Sequence, residues 1–423
     1  MDTARLQRRF DRRAFLRWAA SGTVTAALAP TLAACDALTP SVVKAPDDWW
    51  AKQRVEGVLD FANWPYYIDR TRTNAHPSLE LFTSRTGIAV NYYRPIRANA
   101  TFLEEIRPDL EAGRSSGYDL IVITNGPELS TLISNGWLTP LDHSRLPNFV
   151  AHASPLVQSP SWDPGNRYTV AWQSGLTGLA FRPEAARALG RPPTSIQDLW
   201  SPALAGRVGM FADLLDLGSF GLLAIGRAPE LSRSYMWQEA AARLREQRDA
   251  GIVRGYYDQS YVQALERGEI WVSQAWSGDI FQANALGHPE LRFVLPEEGA
   301  MFWTDSLMIP KGAEHPLDAL TYVDFVYDPY VAALIADWVW YISPVPDAKL
   351  IVADRLGDPA VANSPLVFPP EELLEGRELP RPAPRDRSGP LLAGSDLNNY
   401  YRFIDEREQE EWRQTFSSVV AGG

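Results

Sequence analysis

Short apolar stretches alternate with helical stretches along most of this 423-residue chain. Residues 58–61, 88–93 and 118–124 are predicted strands, and residues 78–85 and 101–112, which carry apolar side chains at helical spacing, are predicted helices between them. Strands that alternate with helices form right-handed βαβ units around a mostly parallel sheet. The alternation therefore predicts an α/β fold.

The alternation stops and then starts again, which predicts a second lobe. Residues 168–172 and 176–181 are two predicted extended segments that cross into this lobe, where predicted strands at 207–211 and 270–275 alternate again with helices. The roughly 375 residues that follow the N-terminal segment are too many for one compact core. We expect two lobes, each a mixed, mostly parallel sheet flanked by helices, with a ligand cleft between them.

The pattern also sets the expected boundaries. Lobe 1 is predicted at residues 57–171 and 304–350, and lobe 2 at residues 172–303 and 351–423. The second part of lobe 2 includes a proline-rich arm at residues 365–390, which holds seven prolines, and an amphipathic helix at residues 397–420.

The first 34 residues have the features of an export signal. Twin arginines at positions 12 and 13 precede Phe15, Leu16 and a weakly apolar run, the arrangement of a twin-arginine signal peptide. The run ends in Leu-Ala-Ala-Cys35, which resembles the lipobox of bacterial lipoproteins. Cys35 is the single cysteine, so an internal disulfide is excluded. The sequence predicts a lipidated Cys35, a tether at residues 35–56, and an extracytoplasmic protein anchored to a membrane.

The charge of the chain argues against one class of partner. Without residues 1–34 the chain has 34 basic and 50 acidic side chains, a formal net charge of −16. Proteins that bind nucleic acid carry basic patches, so we expect no nucleic-acid partner. A negative surface steers cationic ligands inward, although acidic surfaces also simply keep proteins soluble.

The sequence contains no motif of a known catalytic centre. None of the five histidines is spaced from another as metal ligands are, and no nucleophile elbow, phosphate-binding loop or dinucleotide fingerprint occurs. We therefore expect no catalytic residue, no metal and no cofactor. An exported enzyme on the same scaffold stays open as an alternative, because twin-arginine export often carries cofactor enzymes.

The stretch A-M-F-W-T-D-S-L-M-I-P at residues 300–310 places Trp303 and Asp305 two residues apart. On a strand both side chains point to the same face. An aromatic plane beside an anion suits an organic ammonium group, through cation–π attraction and charge neutralisation. The alternative is a core tryptophan beside a solvated aspartate.

Other aromatic and acidic side chains follow predicted strands. Trp64 and Tyr67 follow the first strand, and Trp276 follows the strand at residues 270–275. Asp213 and Asp216 follow the strand at 207–211 at helical spacing, where the alternative role is capping of a helix N-terminus. In open α/β sheets ligands bind at the carboxyl ends of strands.

These residues resemble a known family. Five blocks match in order, namely N-W-x-x-Y at residues 63–67, Y-D-L-I-V at 118–122, residues 206–216, G-E-I at 268–270 with W-S-G at 276–278, and F-W-T-D-S-L at 302–307. The chain is similar to the periplasmic spermidine/putrescine-binding proteins of polyamine ABC transporters, in the two-lobed type II solute-binding superfamily. The resemblance covers residues 57–345, most of the chain without its signal.

The resemblance implies a role for each matching residue. Trp64, Tyr67, Trp276 and Trp303 would surround the aliphatic part of a polyamine, Asp213, Asp216 and Asp305 would bind its amines, and Thr124 would line the cleft. The chain departs from the family where Asp216 replaces a usual glutamate and Gly126 replaces a common aromatic residue. A late Trp-Gln contact of the family has no counterpart near Leu379-Pro380.

The resemblance implies a monomeric binding protein that delivers spermidine or putrescine to an ABC permease. The two lobes would close on the ligand by hinge bending near residues 171–173 and 302–305. Two alternatives stay open beside the exported enzyme, namely a solute-binding protein for a different cation such as a betaine-like compound, and one for a sugar. Three carboxylates without a balancing arginine favour a cation.

Overall fold

The computed structural model describes residues 49–71, 73–369 and 406–421. Within them nine strands form, namely β1 (Val58–Ala62), β2 (Ala89–Tyr93), β3 (Leu120–Thr124), β4 (Thr169–Phe181), β5 (Val208–Phe211), β6 (Val253–Tyr257), β7 (Val272–Trp276), β8 (Arg292–Val294) and β9 (Met301–Met308). The predicted signal, the lipidation site at Cys35 and the proline-rich arm from residue 370 onward lie outside the described residues.

The strands form one mixed sheet in the order β2-β1-β3-β9-β4-β7-β5-β6, with β8 paired to β4. Strands β1, β2 and β3 pair in parallel on one side, and β5, β6 and β7 pair in parallel on the other. We call these the β1 side and the β5 side. The long strands β4 and β9 join them through antiparallel pairs.

Helices connect the strands. They are α1 (Trp49–Lys52), α2 (Pro77–Thr86), α3 (Asn99–Glu111), α4 (Pro127–Ser134), α5 (Pro147–His152), α6 (Pro183–Leu189), α7 (Leu214–Ala224), α8 (Ser234–Asp249), α9 (Tyr261–Glu266), α10 (Ser277–Ala285), α11 (Pro316–Phe325), α12 (Pro329–Val339), α13 (Ala348–Ile351), α14 (Pro359–Ala362) and α15 (Glu406–Val420). The mixed sheet with connecting helices confirms the predicted α/β class, although the sheet is not mostly parallel, since four of its strand pairs are parallel and four are antiparallel.

The strand β4 corrects one expectation. The sequence predicted two extended segments, but residues 169–181 form one continuous and fully buried strand. The polar and small residues between the two predicted segments lie inside the sheet and contact strand β9. The hydroxyl of Ser174 lies 2.8 Å from that of Thr304 on β9, and Gly175 leaves room for the indole of Trp303.

Two further elements differ from the prediction. Strand β6 was missed, because Arg254 and Gly255 interrupt its apolar pattern at the edge of the sheet. The apolar pattern predicts a helix at residues 217–225, but helix α7 already begins at Leu214, since the side chain of Asp213 accepts hydrogen bonds from the amides of Leu215 and Asp216 and so caps the helix.

The last helix, α15, packs against the β5 side. The ring of Trp412 lies 5.2 Å from that of Trp237 on α8 and 4.5 Å from that of Phe416. A methyl group at Gly218 of α7 would come within 2.4 Å of the Trp412 ring, so glycine permits this close approach. The predicted start of this helix, at residues 397–405, lies outside the described residues.

The packed body begins before residue 57. Helix α1 buries Trp50, whose indole nitrogen donates to the carbonyl oxygen of Pro140 at 2.9 Å. The amides of Glu56 and Gly57 donate to the carboxylate of Asp318 at 2.9 and 2.8 Å. Part of the segment assigned to a tether therefore packs on the fold. Among the described residues, no helix has the length and apolar character needed to cross a membrane.

Candidate functional site

A cavity of about 440 Å³ lies where the ends of β3, β5 and β7 meet strand β9. Seven of the eight predicted site residues line it, namely Trp64, Tyr67, Thr124, Asp213, Trp276, Trp303 and Asp305, and Asp216 does not. Because these residues come from both sides of the sheet and from the joining strand, the cavity is an interface cleft between the two sides.

Asp305 lies in the interior of the cleft with 4% of its surface exposed. Its Oδ1 accepts a hydrogen bond of 2.6 Å from the hydroxyl of Thr124, which itself accepts one of 2.9 Å from the amide of Asn99. Burial raises the pKa of Asp305 to about 6, against the opposing effect of the nearby hydroxyls of Thr124 and Tyr67. No ion pair to Asp305 forms within the described part of the chain, so its charge is held by hydroxyl groups alone.

A second buried carboxylate, that of Asp279, belongs to the first turn of α10 and is 6% exposed. Its two oxygens accept hydrogen bonds from the hydroxyls of Tyr261 at 3.0 Å and Tyr341 at 2.9 Å. Burial raises its pKa to about 6, while the two tyrosines lower it. The cleft therefore holds two buried acids that lack a buried cation.

Aromatic rings surround these two acids. The ring of Tyr341 lies 5.2 Å from that of Tyr67 and 5.3 Å from that of Trp303, and both contacts are edge-on or tilted. Gly278 permits the position of Tyr341, because an added methyl group would come within 2.4 Å of its ring. A methyl group added at Gly175 would come within 2.3 Å of the Trp303 ring, so this glycine permits the position of Trp303. The glycines on the neighbouring elements thus allow the aromatic rings to close around the acids.

Asp216 takes a different position from the predicted one. It is 2% exposed, and its Oδ2 accepts a 3.0 Å hydrogen bond from the indole nitrogen of Trp276. The Trp276 ring also packs 4.8 Å from Phe211 and 5.9 Å from Tyr261. Asp216 therefore orients a cleft tryptophan, and its direct contact with an amine of the ligand stays a prediction.

Asp213 combines the two roles that the sequence left open. Its Oδ1 caps α7 through bonds of 2.9 and 3.0 Å to the amides of Leu215 and Asp216. The side chain is nevertheless exposed to the cleft, and crowding by the surrounding protein raises its pKa. Capping therefore leaves the second carboxylate oxygen available to a ligand.

The comparisons with known proteins agree with this geometry. The model of the family described as "Bacterial extracellular solute-binding protein" matches residues 115–374, more than half of the chain. The chain belongs to this family.

Named relatives of this solute-binding protein point the same way. A spermidine/putrescine-binding periplasmic protein of Escherichia coli (strain K12) is 27% identical over 321 residues, which cover 76% of this chain and 85% of the relative. The solved structure of the spermidine/putrescine ABC transporter substrate-binding protein PotD from Streptococcus pneumoniae covers 86% of this chain and 98% of its own, with a TM-score of 0.66 and 20% identity. The solved structure of the lipoprotein Tp0655 (TpPotD) of Treponema pallidum covers 86% of this chain and 99% of its own.

The Tp0655 structure superposes on this chain with a TM-score of 0.64, at 20% identity. These likenesses confirm the predicted fold, a two-lobed periplasmic binding protein of type II with the ligand cleft between the lobes. The residue boundaries predicted for the lobes stay predictions.

The structure adds cleft residues that the sequence analysis missed. Asp279 stands three positions after Trp276 in the predicted first turn of a helix, so the spacing that flagged Asp213 and Asp216 could have identified it. Tyr341 had no such signal, because its position depends on packing between separate elements. Gln409 of α15 lines the cleft and is a candidate for the late polar contact that has no counterpart near residue 379.

The expectation of a cleft without arginine was wrong. Arg97 and Arg413 line the cavity, and both are exposed. Arg413 pairs with Glu410. Hydrogen bonds from Ser260 lower the pKa of Asp258, and the charge of Arg97 across the cleft adds a smaller effect in the same direction. The cavity wall still carries six carboxylates, those of Glu104, Glu128, Asp213, Asp258, Asp279 and Asp305. The carboxylates of the cavity wall therefore outnumber its guanidinium groups by four, so the cavity still favours a cationic ligand.

One group of metal-ligand types lies elsewhere. Among the described residues, Asp60, Asp119 and His315 bring ligand atoms within 4.8 Å of one another. The Asp119 carboxylate already accepts hydrogen bonds from the amides of Asp60 and His315, and Nδ1 of His315 lies 2.8 Å from its Oδ2. These contacts tie the start of β3 to β1 and to the start of α11, which is a structural role.

Proposed function

We propose that this protein captures a polyamine, spermidine or putrescine, outside the cytoplasm and delivers it to an ABC permease. A polyamine is cationic at each nitrogen and apolar between them. The observation that carries the proposal is the pair Asp279 and Asp305, two buried acids held by hydroxyl groups and surrounded by Tyr67, Trp303 and Tyr341. The names of the relatives support the same ligand class.

The energetics of such a ligand match the cleft. An ammonium group that is buried without a partner costs several kcal/mol, so a closed cleft needs a carboxylate near each nitrogen. Aromatic faces cover the methylene groups and add cation–π attraction of about 0.5–2 kcal/mol each. Asp279 and Asp305 would neutralise one end of the ligand, while Trp64, Trp276 and Trp303 would cover its carbon chain.

Delivery requires that ligand binding changes the shape of the protein. Asp305 lies on β9, which pairs with both β3 and β4 and so joins the two sides of the sheet. A ligand held by Asp305 and by residues of both sides gains all of its contacts only when the lobes close. We therefore place the hinge in β4 and β9, and we expect the permease to recognise the closed form.

Export and anchoring belong to the same proposal. The twin arginines and the Leu-Ala-Ala-Cys35 sequence support export by the twin-arginine route and lipidation of Cys35, which would make the protein a periplasmic lipoprotein. The similar Treponema pallidum protein is a lipoprotein, which supports this. Labelling of cells with a radioactive fatty acid tests it, since the wild-type protein should incorporate label and the Cys35→Ser variant should not.

No enzyme activity is part of the proposal, because the relatives are named as binding proteins of transporters. A different organic cation is the second candidate, and the two arginines in the cleft wall favour one that also bears an anionic group. Mass spectrometry of the small molecules released when the purified protein is denatured tests both candidates. Release of spermidine or putrescine supports the proposal, and release of another cation in equal amount to the protein contradicts it.

A further inference from the structure

Three elements meet at one edge of the cleft. Helix α4 follows β3 on the β1 side, the start of α7 follows β5 on the β5 side, and α15 packs over both. The hydroxyl of Thr131 on α4 lies 3.4 Å from Oε1 of Gln409 on α15, and the indole nitrogen of Trp412 donates to the carbonyl oxygen of Leu214 at 3.0 Å. The two sides of the sheet are therefore linked directly at this edge.

The backbone of α4 also approaches α7 closely. A methyl group built on Gly126 would lie 3.2 Å from a methyl carbon of Leu215. A side chain at position 126, where the family resemblance implies an aromatic residue, would therefore press on Leu215 in this arrangement. The small residue thus brings the first turns of α4 and α7 together across the cleft.

Two carboxylates face this junction. Glu128 belongs to the first turn of α4, Asp213 caps α7, and both line the cleft. Oδ2 of Asp213 accepts no hydrogen bond from the described residues, and the Glu128 carboxylate accepts none from another described side chain. Each carboxylate therefore has an oxygen that is available to a ligand.

The electrostatics of the pair show that its charge is not balanced. Burial and then the charge of Asp213 raise the pKa of Glu128 to about 7, and Glu104 on α3 adds to the increase. The backbone amide at the start of α4 and the guanidinium of Arg413 act in the opposite direction. Arg413 already pairs with Glu410, so it does not neutralise Glu128.

We propose that Glu128 is a ligand-binding residue, which together with Asp213 holds one ammonium group of the ligand between the two sides of the sheet. This inference rests on the proposed function. Asp279 and Asp305 hold the other end of the ligand, so the cleft selects a chain with cationic groups at two separate positions. A first-turn glutamate can also stabilise its helix without binding anything, and the experiment distinguishes the two roles.

Titration calorimetry with putrescine, spermidine and the monoamine butylamine tests the proposal on wild type and on the Glu128→Gln variant. We expect Glu128→Gln to bind putrescine and spermidine roughly 10- to 100-fold more weakly, the usual effect of removing a charged hydrogen-bond partner. Butylamine binding should be unchanged. The matched control is Glu105→Gln, which removes an exposed charge of α3 outside the cleft and should leave all affinities unchanged.

Proton release gives a second measurement that a structural role would not change. When an ammonium group binds, Glu128 loses its remaining proton at pH 7, so wild type should release more protons per bound spermidine than Glu128→Gln, as measured in buffers of different ionisation enthalpy. Equal diamine affinities and equal proton release in the two proteins would overturn the inference. Failure of wild type to bind any amine would instead overturn the proposed function.

Discussion

The indole nitrogen of Trp276 donates a 3.0 Å hydrogen bond to Oδ2 of Asp216, a buried carboxylate that does not line the cleft. Asp216 therefore acts on the ligand through Trp276. The family resemblance implies an amine contact at this position, and in this structure the carboxylate orients an aromatic wall of the cleft.

This relationship predicts unequal effects of two similar substitutions. Asp216→Asn should weaken spermidine binding less than about tenfold, because the amide oxygen still accepts the indole hydrogen bond. Asp305→Asn should weaken it more than about 100-fold, since a buried ammonium group then lacks its counter-charge. Titration calorimetry measures both, and equal losses would contradict the assignment of Asp216 as a positioning residue.

Asp279 is expected to be as important as Asp305. Its oxygens are held by Tyr261 and Tyr341 at the cleft wall, so Asp279→Asn keeps the packing and removes the charge. We expect at least a tenfold loss of spermidine affinity. The control Asp354→Asn removes an exposed carboxylate outside the cleft. Similar affinities for the two variants would exclude Asp279 from the site.

The ligand-free protein should carry a stability cost from Asp305. Burial raises its pKa to about 6, whereas an aspartate in the unfolded chain titrates near 3.9. The folded state therefore binds the proton more tightly. The stabilisation that comes from the protonated acid is complete below about pH 4. It is lost as the pH rises through 6, which lowers the free energy of unfolding by on the order of 3 kcal/mol.

Asp305→Asn cannot ionise, so its stability advantage over wild type should grow between pH 4.5 and pH 7.5. Thermal unfolding of ligand-free protein measures this difference, with Asp354→Asn as the control for loss of an exposed carboxylate. A Tm difference between Asp305→Asn and wild type that does not change with pH would show that burial does not raise the pKa of Asp305.

Gly175 should be required for the aromatic wall. A methyl group at this position would come within 2.3 Å of the Trp303 ring, so Gly175→Ala must displace the indole, at a cost of about 1–3 kcal/mol. The free energy of unfolding and the spermidine affinity should both fall. Gly255→Ala is the control on β6, where the added methyl meets its neighbours at an ordinary 3.6 Å and both quantities should stay close to wild type.

The fold could be predicted from the sequence to a large extent because its strands and helices carry regular apolar patterns. The elements that were missed or divided, β6 and the middle of β4, contain Arg254, Gly255, Ser174 and Gly175, whose roles depend on neighbouring strands. Local patterns do not contain that information.

The site shows the same limit. Trp303 and Asp305 share a strand face, so period-two spacing brought them together. Tyr341 reaches the cleft only through its contacts with Tyr67 and Asp279. The orientation of Asp216 toward Trp276 also depends on tertiary packing, which spacing alone does not predict.

The central claim is that the cleft binds a polyamine, and titration calorimetry on the protein without residues 1–34 tests it most directly. The ligands are spermidine, putrescine and a neutral disaccharide of similar length. The account predicts stoichiometric binding of at least one polyamine with a Kd in the micromolar range or below, and no heat with the sugar. Binding of the sugar alone, or of no polyamine at all, would contradict it.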